Sequence, residues 1–219
     1  MRKFACVTFG LLLLGGCLSN SGVLRAQASP VQTHIGHVTE SFQATPNQQG
    51  LLPTALAEAK IATQHAGLAL KQPDNLDAIK LHAGHVINAI DPTVEPKGPG
   101  LGFGVKRAAA GVAQHIQLAA KSEGASANVK THATHVAAAA TNAAARADEV
   151  VALAQKVRAA TTAAEAASLM SQVQAGVEQL TAGLDVNKDG RINWDTPEGG
   201  LQQAQMHVDL LKKGEGAAQ

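Results

Sequence analysis

The sequence predicts an all-α fold, an up-down bundle of about seven helices, and three observations carry that prediction. Alanine dominates while aromatic residues make up 2% of the chain. Alanine has the strongest helix propensity, whereas strands favour β-branched and aromatic side chains. Proline and glycine gather between apolar-periodic segments instead of inside them, which is helix punctuation. Finally, the chain repeats itself over a helical hairpin. "QHAGLALK" at 64–71 matches "QHIQLAAK" at 114–121, and "KLHAGHV" at 80–86 matches "KTHATHV" at 130–136, a period of fifty residues.

The elements follow in order. The first helix is expected over 31–44, ended by "TPNQQG", and the second over 53–71, ended by "KQPDN". The third runs over 75–90 to the loop "DPTVEPKGPGLGFG", the fourth over 105–121 to the turn "SEGAS", and the fifth, the longest, over 127–158. A sixth covers 162–184, the loop "DVNKDGRINWDTPEGG" follows, and a seventh covers 198–213 before a tail, "GEGAAQ", expected to fray. About 190 mature residues make one domain over 29–219, long enough to bury a core. A net charge of +1 without a basic block, and without aromatics interleaved with arginine, excludes a nucleic-acid partner.

Residues 1–28 have the grammar of an export segment, with a basic start, a short apolar run and then small residues. "LGGC" ending at Cys17 fits a lipobox, which would make Cys17 the lipidated first residue, and "AQA" at 26–28 fits signal cleavage. The lipobox is preferred. The location expected is the periplasm or the outer membrane as a lipoprotein, with membrane contact only through that anchor. No other cysteine remains in the mature chain, so disulfides and thiolate metal sites are excluded.

Histidines carry the functional signal. His-x-x-His-Val occurs at His34 and His37, at His82 and His85, and at His132 and His135, and single histidines stand at His65, His115 and His207. Spacing of i, i+3 puts both imidazoles of a pair on one helix face. His65 and His82 bracket the turn near Pro73, and His115 and His132 bracket "SEGAS" in the same way, so each lies level with its hairpin partner at ~1.5 Å rise per residue. The expected donor sets are therefore His65, His82 and His85 in one hairpin and His115, His132 and His135 in its duplicate. A third copy, split across the termini, would bring His207 to His34 and His37. Three neutral imidazoles suit Zn, Cu, Ni or Fe. Bis-histidine haem b would use the same residues, although covalent attachment is excluded because Cys-x-x-Cys-His is absent. Gly36, Gly84 and Gly111 sit near histidines inside helices, where glycine costs about 1 kcal/mol against alanine. Close approach of a flat ligand and tight helix crossing both account for that.

"DVNKDGRIN" resembles the calcium loop of the EF-hand and dockerin families over Asp185, Asn187, Asp189, Gly190 and Ile192. The resemblance implies Ca²⁺ ligation by Asp185, Asn187 and Asp189 side chains and the Arg191 carbonyl, with Asn193 at the ninth position. Where those families place a bidentate glutamate this chain has Thr196, leaving Asp195 or Glu198 to complete the set. Such an ion would fix the entry angle of the last helix and the height of His207.

The function these features predict is an exported, histidine-rich metal-binding protein for sequestration, buffering or sensing of transition metals, with a structural calcium loop. An electron-transfer protein with noncovalent haem is the alternative, and a structural envelope module the second. Catalysis has little support. Glu58 precedes His65 by two turns but has no counterpart at Ala108, so the duplicated plan contains no general base.

Overall fold

The computed structural model describes residues 28–217 together with Met1, so Cys17 and the expected export segment lie outside the described residues. Among them are seven α-helices and no strand: α1 Pro30–Thr39, α2 Leu51–Leu70, α3 Leu76–Ile90, α4 Val105–Lys121, α5 Ala127–Ala159, α6 Ala163–Ala182 and α7 Leu201–Ala217. None is long and apolar enough to cross a membrane.

Local chemistry explains where the helices start. Ser29 and Gln32 form a reciprocal capping box on α1, with Pro30 in its first turn. Asn75, Ser126 and Thr162 each accept a backbone N–H at the starts of α3, α5 and α6. Helix α4 follows Gly104, whose φ is 82°; a Cβ there would stand 2.8 Å from the Ile90 carbonyl oxygen, so this entry requires glycine.

Two boundaries differ from the sequence expectation. Helix α1 stops at Thr39 because the chain folds back on itself, Ser41 bridging to Gln49, and this returns Phe42 against α1. Helix α7 starts at Leu201 because the N–H groups of Glu198 and Gly199 both bond the Asp195 carbonyl in a turn, and it continues through the expected tail to Ala217.

Helix α5 is the centre of the bundle, packing on α3, α4, α6 and α7, while α2 packs on α3, α4 and α6. Small side chains let the axes approach closely. Ala133, Ala139, Ala140, Ala143, Ala147 and Ala154 are buried along α5, and Gly111 of α4 faces Leu51 of α2, where a Cβ would meet Leu51 Cδ2 at 2.9 Å. Tight helix crossing thus accounts for Gly111. Burial of alanine contributes little per residue, so larger apolar residues such as Ile79, Ile87, Ile116, Met170 and Leu180 fill the interior between the alanine contacts.

Buried polar groups pin the two long loops. Glu58 is fully buried and its carboxylate accepts N–H bonds from Leu101 (3.0 Å), Phe103 (3.1 Å) and Gly104 (2.9 Å). Asn88 holds the same loop through the Glu95 carbonyl at 2.9 Å and Gly100 N–H at 2.8 Å. Glu58 therefore anchors a loop. Arg146, on α5, donates to the carbonyls of Gln179, Pro197, Glu198 and Gly199, and Asn142 to that of Asp195, so the loop between α6 and α7 is fastened to the central helix.

Candidate metal centres

Every His-x-x-His-Val motif sits at the edge of the core. Val38, Val86 and Val136 are each fully buried, and a residue one step earlier lies about 100° away around the helix. Burying the valine therefore holds the preceding histidine at the boundary between core and water, and the other histidine, one turn earlier, beside it. The six paired histidines are half-buried.

All nine histidines fall into three triads: His34, His37 and His115; His65, His82 and His85; and His132, His135 and His207. Each triad joins one His-x-x-His pair to one single histidine from another helix, and the single histidine is the hub. His65 Nδ1 lies 3.0 Å from His82 Nδ1 and 3.2 Å from His85 Nδ1. His115 Nδ1 lies 3.1 Å from His34 Nδ1 and 3.3 Å from His37 Nδ1, and His207 Nδ1 lies 3.1 Å and 3.3 Å from those of His132 and His135.

The hairpin α2–α3 closes its own triad, as its sequence spacing predicts. Its duplicate does not. His115 turns to α1 and His132 and His135 turn to α7, which corrects both the expected set of His115, His132 and His135 and the expected meeting of His207 with His34 and His37. The physical reason is coverage: α1 packs on α4 and α7 packs on α5, so each brings its own imidazoles to the histidine face it covers.

Nitrogens at these separations can share a proton pairwise, and each triad could hold a metal ion. A neutral imidazole carries one proton and one in-plane lone pair, so three converging Nδ1 atoms cannot all be satisfied by one another. Protonation is disfavoured at all three hubs. Burial, followed by the neighbouring imidazoles, lowers the pKa of His65, His82 and His115, and His34 and His135 shift the same way for the same causes. His207, only 7% exposed, is pushed down to about 4 by burial first and His135 and His132 second. Neutral imidazoles are the form that a metal ion would take as ligands. With Zn–N of about 2.0–2.1 Å, the edge of a tetrahedron is about 3.3–3.4 Å, close to the separations observed at each hub.

The three centres differ in their surroundings. Phe42 stands edge-on to both His37 and His115, ring centroids 5.5 and 5.2 Å apart. Trp194 stacks on His135 at 3.9 Å and 19° and meets His207 edge-on at 6.4 Å. Among the described residues, the rings of His65, His82 and His85 face only one another. Phe42 and Trp194 lie in loops without periodicity, where ligand spacing carries no signal; the single tryptophan in a chain nearly free of aromatics is the signal that the sequence offers.

The expected calcium loop folds as a series of turns. Asp185 accepts the N–H groups of Asp189 (3.2 Å) and Gly190 (2.9 Å), Asn187 Oδ1 accepts Asp189 N–H at 2.9 Å, and Asp189 accepts Arg191 N–H at 2.8 Å. Glu198, 4% exposed, directs its carboxylate into the loop and accepts the N–H groups of Asn187 (3.4 Å) and Asn193 (3.0 Å). Thr196 turns away, donating to Asn142 Oδ1 at 3.0 Å. Asp195 meets its neighbours through its backbone carbonyl, and Arg191 is exposed.

No protein family, curated protein or solved structure matches this chain.

Proposed function

We propose that this is an exported transition-metal-binding protein that carries up to three ions, one in each histidine triad, for sequestration, buffering or sensing. The gathering of three imidazoles with ligand nitrogens within 4.8 Å of one another, made three times by different helix pairs, carries the reading. A single set can arise from packing. Three sets, two of them assembled across the duplicated plan instead of copied by it, point to the donors themselves. Neutral imidazole triads match Zn, Cu, Ni or Fe, and they bind without the thiolates that an oxidising compartment would remove. Each triad leaves a position for water or an exchanging ligand, which suits an ion that must be both taken up and released.

The compact triads favour an ion over haem. A haem needs two histidine nitrogens on opposite faces of its plane, whereas these nitrogens stand within hydrogen-bonding distance on one side of a helix pair. The loop at Asp185–Glu198 is proposed to hold Ca²⁺ through Asp185, Asn187, Asp189 and the Arg191 carbonyl, with Glu198 in place of the usual last glutamate. Glu198's buried, inward carboxylate supports that assignment. Export, with lipidation at Cys17 or cleavage after Ala28, is proposed from the leader-like first residues.

Elemental analysis and an absorption spectrum of protein purified from its native compartment test the reading. About three equivalents of a single transition metal are expected at full loading. A Soret band would replace it with the haem reading, and neither metal nor haem would leave an envelope module with packed histidines.

A further inference from the structure

His85, one member of the triad with His65 and His82, lies on the wall of a groove that the other features of the molecule do not use. His85 lines it together with Lys80, Gly84, Glu95, Lys97 and Arg158, and its volume is about 310 Å³. Glu95 is already neutralised, its carboxylate 2.7 Å from Arg158 Nη1. Neither Lys80 nor Lys97 forms an ion pair among the described residues. The groove is therefore net cationic beside a site built for a cation.

Those two charges conflict unless something anionic lies between them. Three neutral imidazoles leave the full charge of a divalent ion uncompensated, and two lysine ammonium groups nearby add repulsion. A small oxyanion resolves the conflict. One oxygen fills the open fourth position on the metal, and the others face Lys80, Lys97 and the guanidinium of Arg158. Gly84 fits the same picture. It lies inside α3, where glycine costs about 1 kcal/mol against alanine, yet a Cβ there would meet nothing within 4 Å, so helix packing does not require it. Its missing side chain leaves the floor of the groove open next to His85.

We propose that the His65–His82–His85 centre binds its metal together with a small oxyanion held in the Lys80–Lys97–Arg158 groove. The inference rests on the metal-binding reading above and adds to it a ligand class and a distinction between sites. The triads beside Phe42 and Trp194 have aromatic rings against their ligands, whereas this one has a polar groove. Anion and metal then bind cooperatively, so the centre loads when both are present and releases when either is withdrawn.

The test uses full-length mature protein carrying His115→Ala and His207→Ala, which leaves only this triad intact, loaded with Co²⁺ so that the visible bands report the fourth ligand. Inorganic phosphate and, separately, bicarbonate are titrated in, with calorimetry alongside; whichever anion responds identifies the source. A saturable spectral change at one anion per cobalt is expected. Lys80→Ala with Lys97→Ala should weaken the anion by about tenfold or more, equivalent to about 1.4 kcal/mol, while cobalt affinity in anion-free buffer stays the same or rises because two repelling charges are gone. Cobalt that binds but responds to neither anion, or a lysine variant that responds like its parent, overturns this inference and leaves the metal reading standing. Failure to bind cobalt at all overturns both. Should the histidine background fail to fold by circular dichroism, the wild-type protein with all three sites filled gives the same answer: one anion per chain is expected, and none or three refutes the assignment to this centre.

Discussion

Replacing His207 by leucine should make the metal-free protein more stable and the metal-loaded protein less so. His207 is 7% exposed, and its Nε2 is buried without a hydrogen-bond partner. A buried polar atom left in that state costs about 1–3 kcal/mol, which an apolar side chain of similar size avoids. The imidazole also carries a pH-dependent penalty. Its pKa is pushed down to about 4 against 6.5 in the unfolded chain, by burial and then by His135 and His132. As the folded-state value is the lower one, the penalty is absent above pH 6.5 and grows as pH falls toward about 4, while the unfolded chain takes up a proton that the native state refuses. At about 1.36 kcal/mol per pKa unit the ceiling is about 3 kcal/mol, and solvent screening at the half-buried neighbours brings it to about 2. In chelator at pH 7.5, urea unfolding followed by circular dichroism should therefore show His207→Leu more stable by about 1–2 kcal/mol, a margin widening by about 2 kcal/mol at pH 4.5. With zinc at about a thousand times its dissociation constant the order should reverse, since one filled site adds about 4 kcal/mol that the variant cannot gain. A variant that is less stable in chelator by more than about 1 kcal/mol would make His207 a satisfied core residue. One that still binds three ions would remove it from the metal centre.

Other outcomes follow from the same structure. His115→Ala should empty the site at His34 and His37, so adding His34→Ala costs no further ion whereas adding His132→Ala costs a second; elemental analysis that counts His115 and His132 as one site would restore the hairpin pairing. Cu²⁺ should quench the fluorescence of Trp194 through the ring of His135 that it stacks on at 3.9 Å, and His207→Leu should abolish that quenching while His65→Ala leaves it intact. Glu58→Ala should cost about 3–5 kcal/mol, since three backbone N–H groups lose a buried carboxylate; a thermal shift corresponding to less than about 1 kcal/mol would mean water replaces it. Millimolar Ca²⁺ should raise the thermal midpoint, and Asp185→Ala with Asp189→Ala should remove the gain; an unmoved wild-type midpoint means the loop is a set of turns and nothing more.

Much of the fold was legible because helix ends are written locally. The fourth helix, expected over 105–121, is found there, and Ser126 sets the start of α5 as a cap should. Where an expected helix is longer than the observed one, a distant contact decides. Nothing in "TESFQ" forbids another turn of helix; α1 ends at Thr39 because Phe42 is drawn back onto His37 and His115. The start of α7 is likewise set from outside its own sequence, by Arg146 on α5 holding the carbonyls of Pro197, Glu198 and Gly199.

The histidine pairing shows where sequence geometry stops. Bracketing a turn fixes the height of two residues along their helices but says nothing about rotation around each axis, and one residue of offset turns a side chain by about 100°. His65 with His82 and His115 with His132 have the same separation, and α4 packs on α5 as α2 packs on α3. Yet only the first pair meets. Helices α2 and α3 turn their histidines toward each other, whereas α4 and α5 present theirs to a third and a fourth helix. Duplication preserved the spacing, and the terminal helices changed the partners. The consequence is functional: the triad of His65, His82 and His85 depends on a single hairpin, while the other two bind α1 and α7 to the body of the bundle. A metal in either of those joins the segments nearest the chain ends to its centre. Helix α1, ten residues long and marginal in isolation, has the most to gain from it.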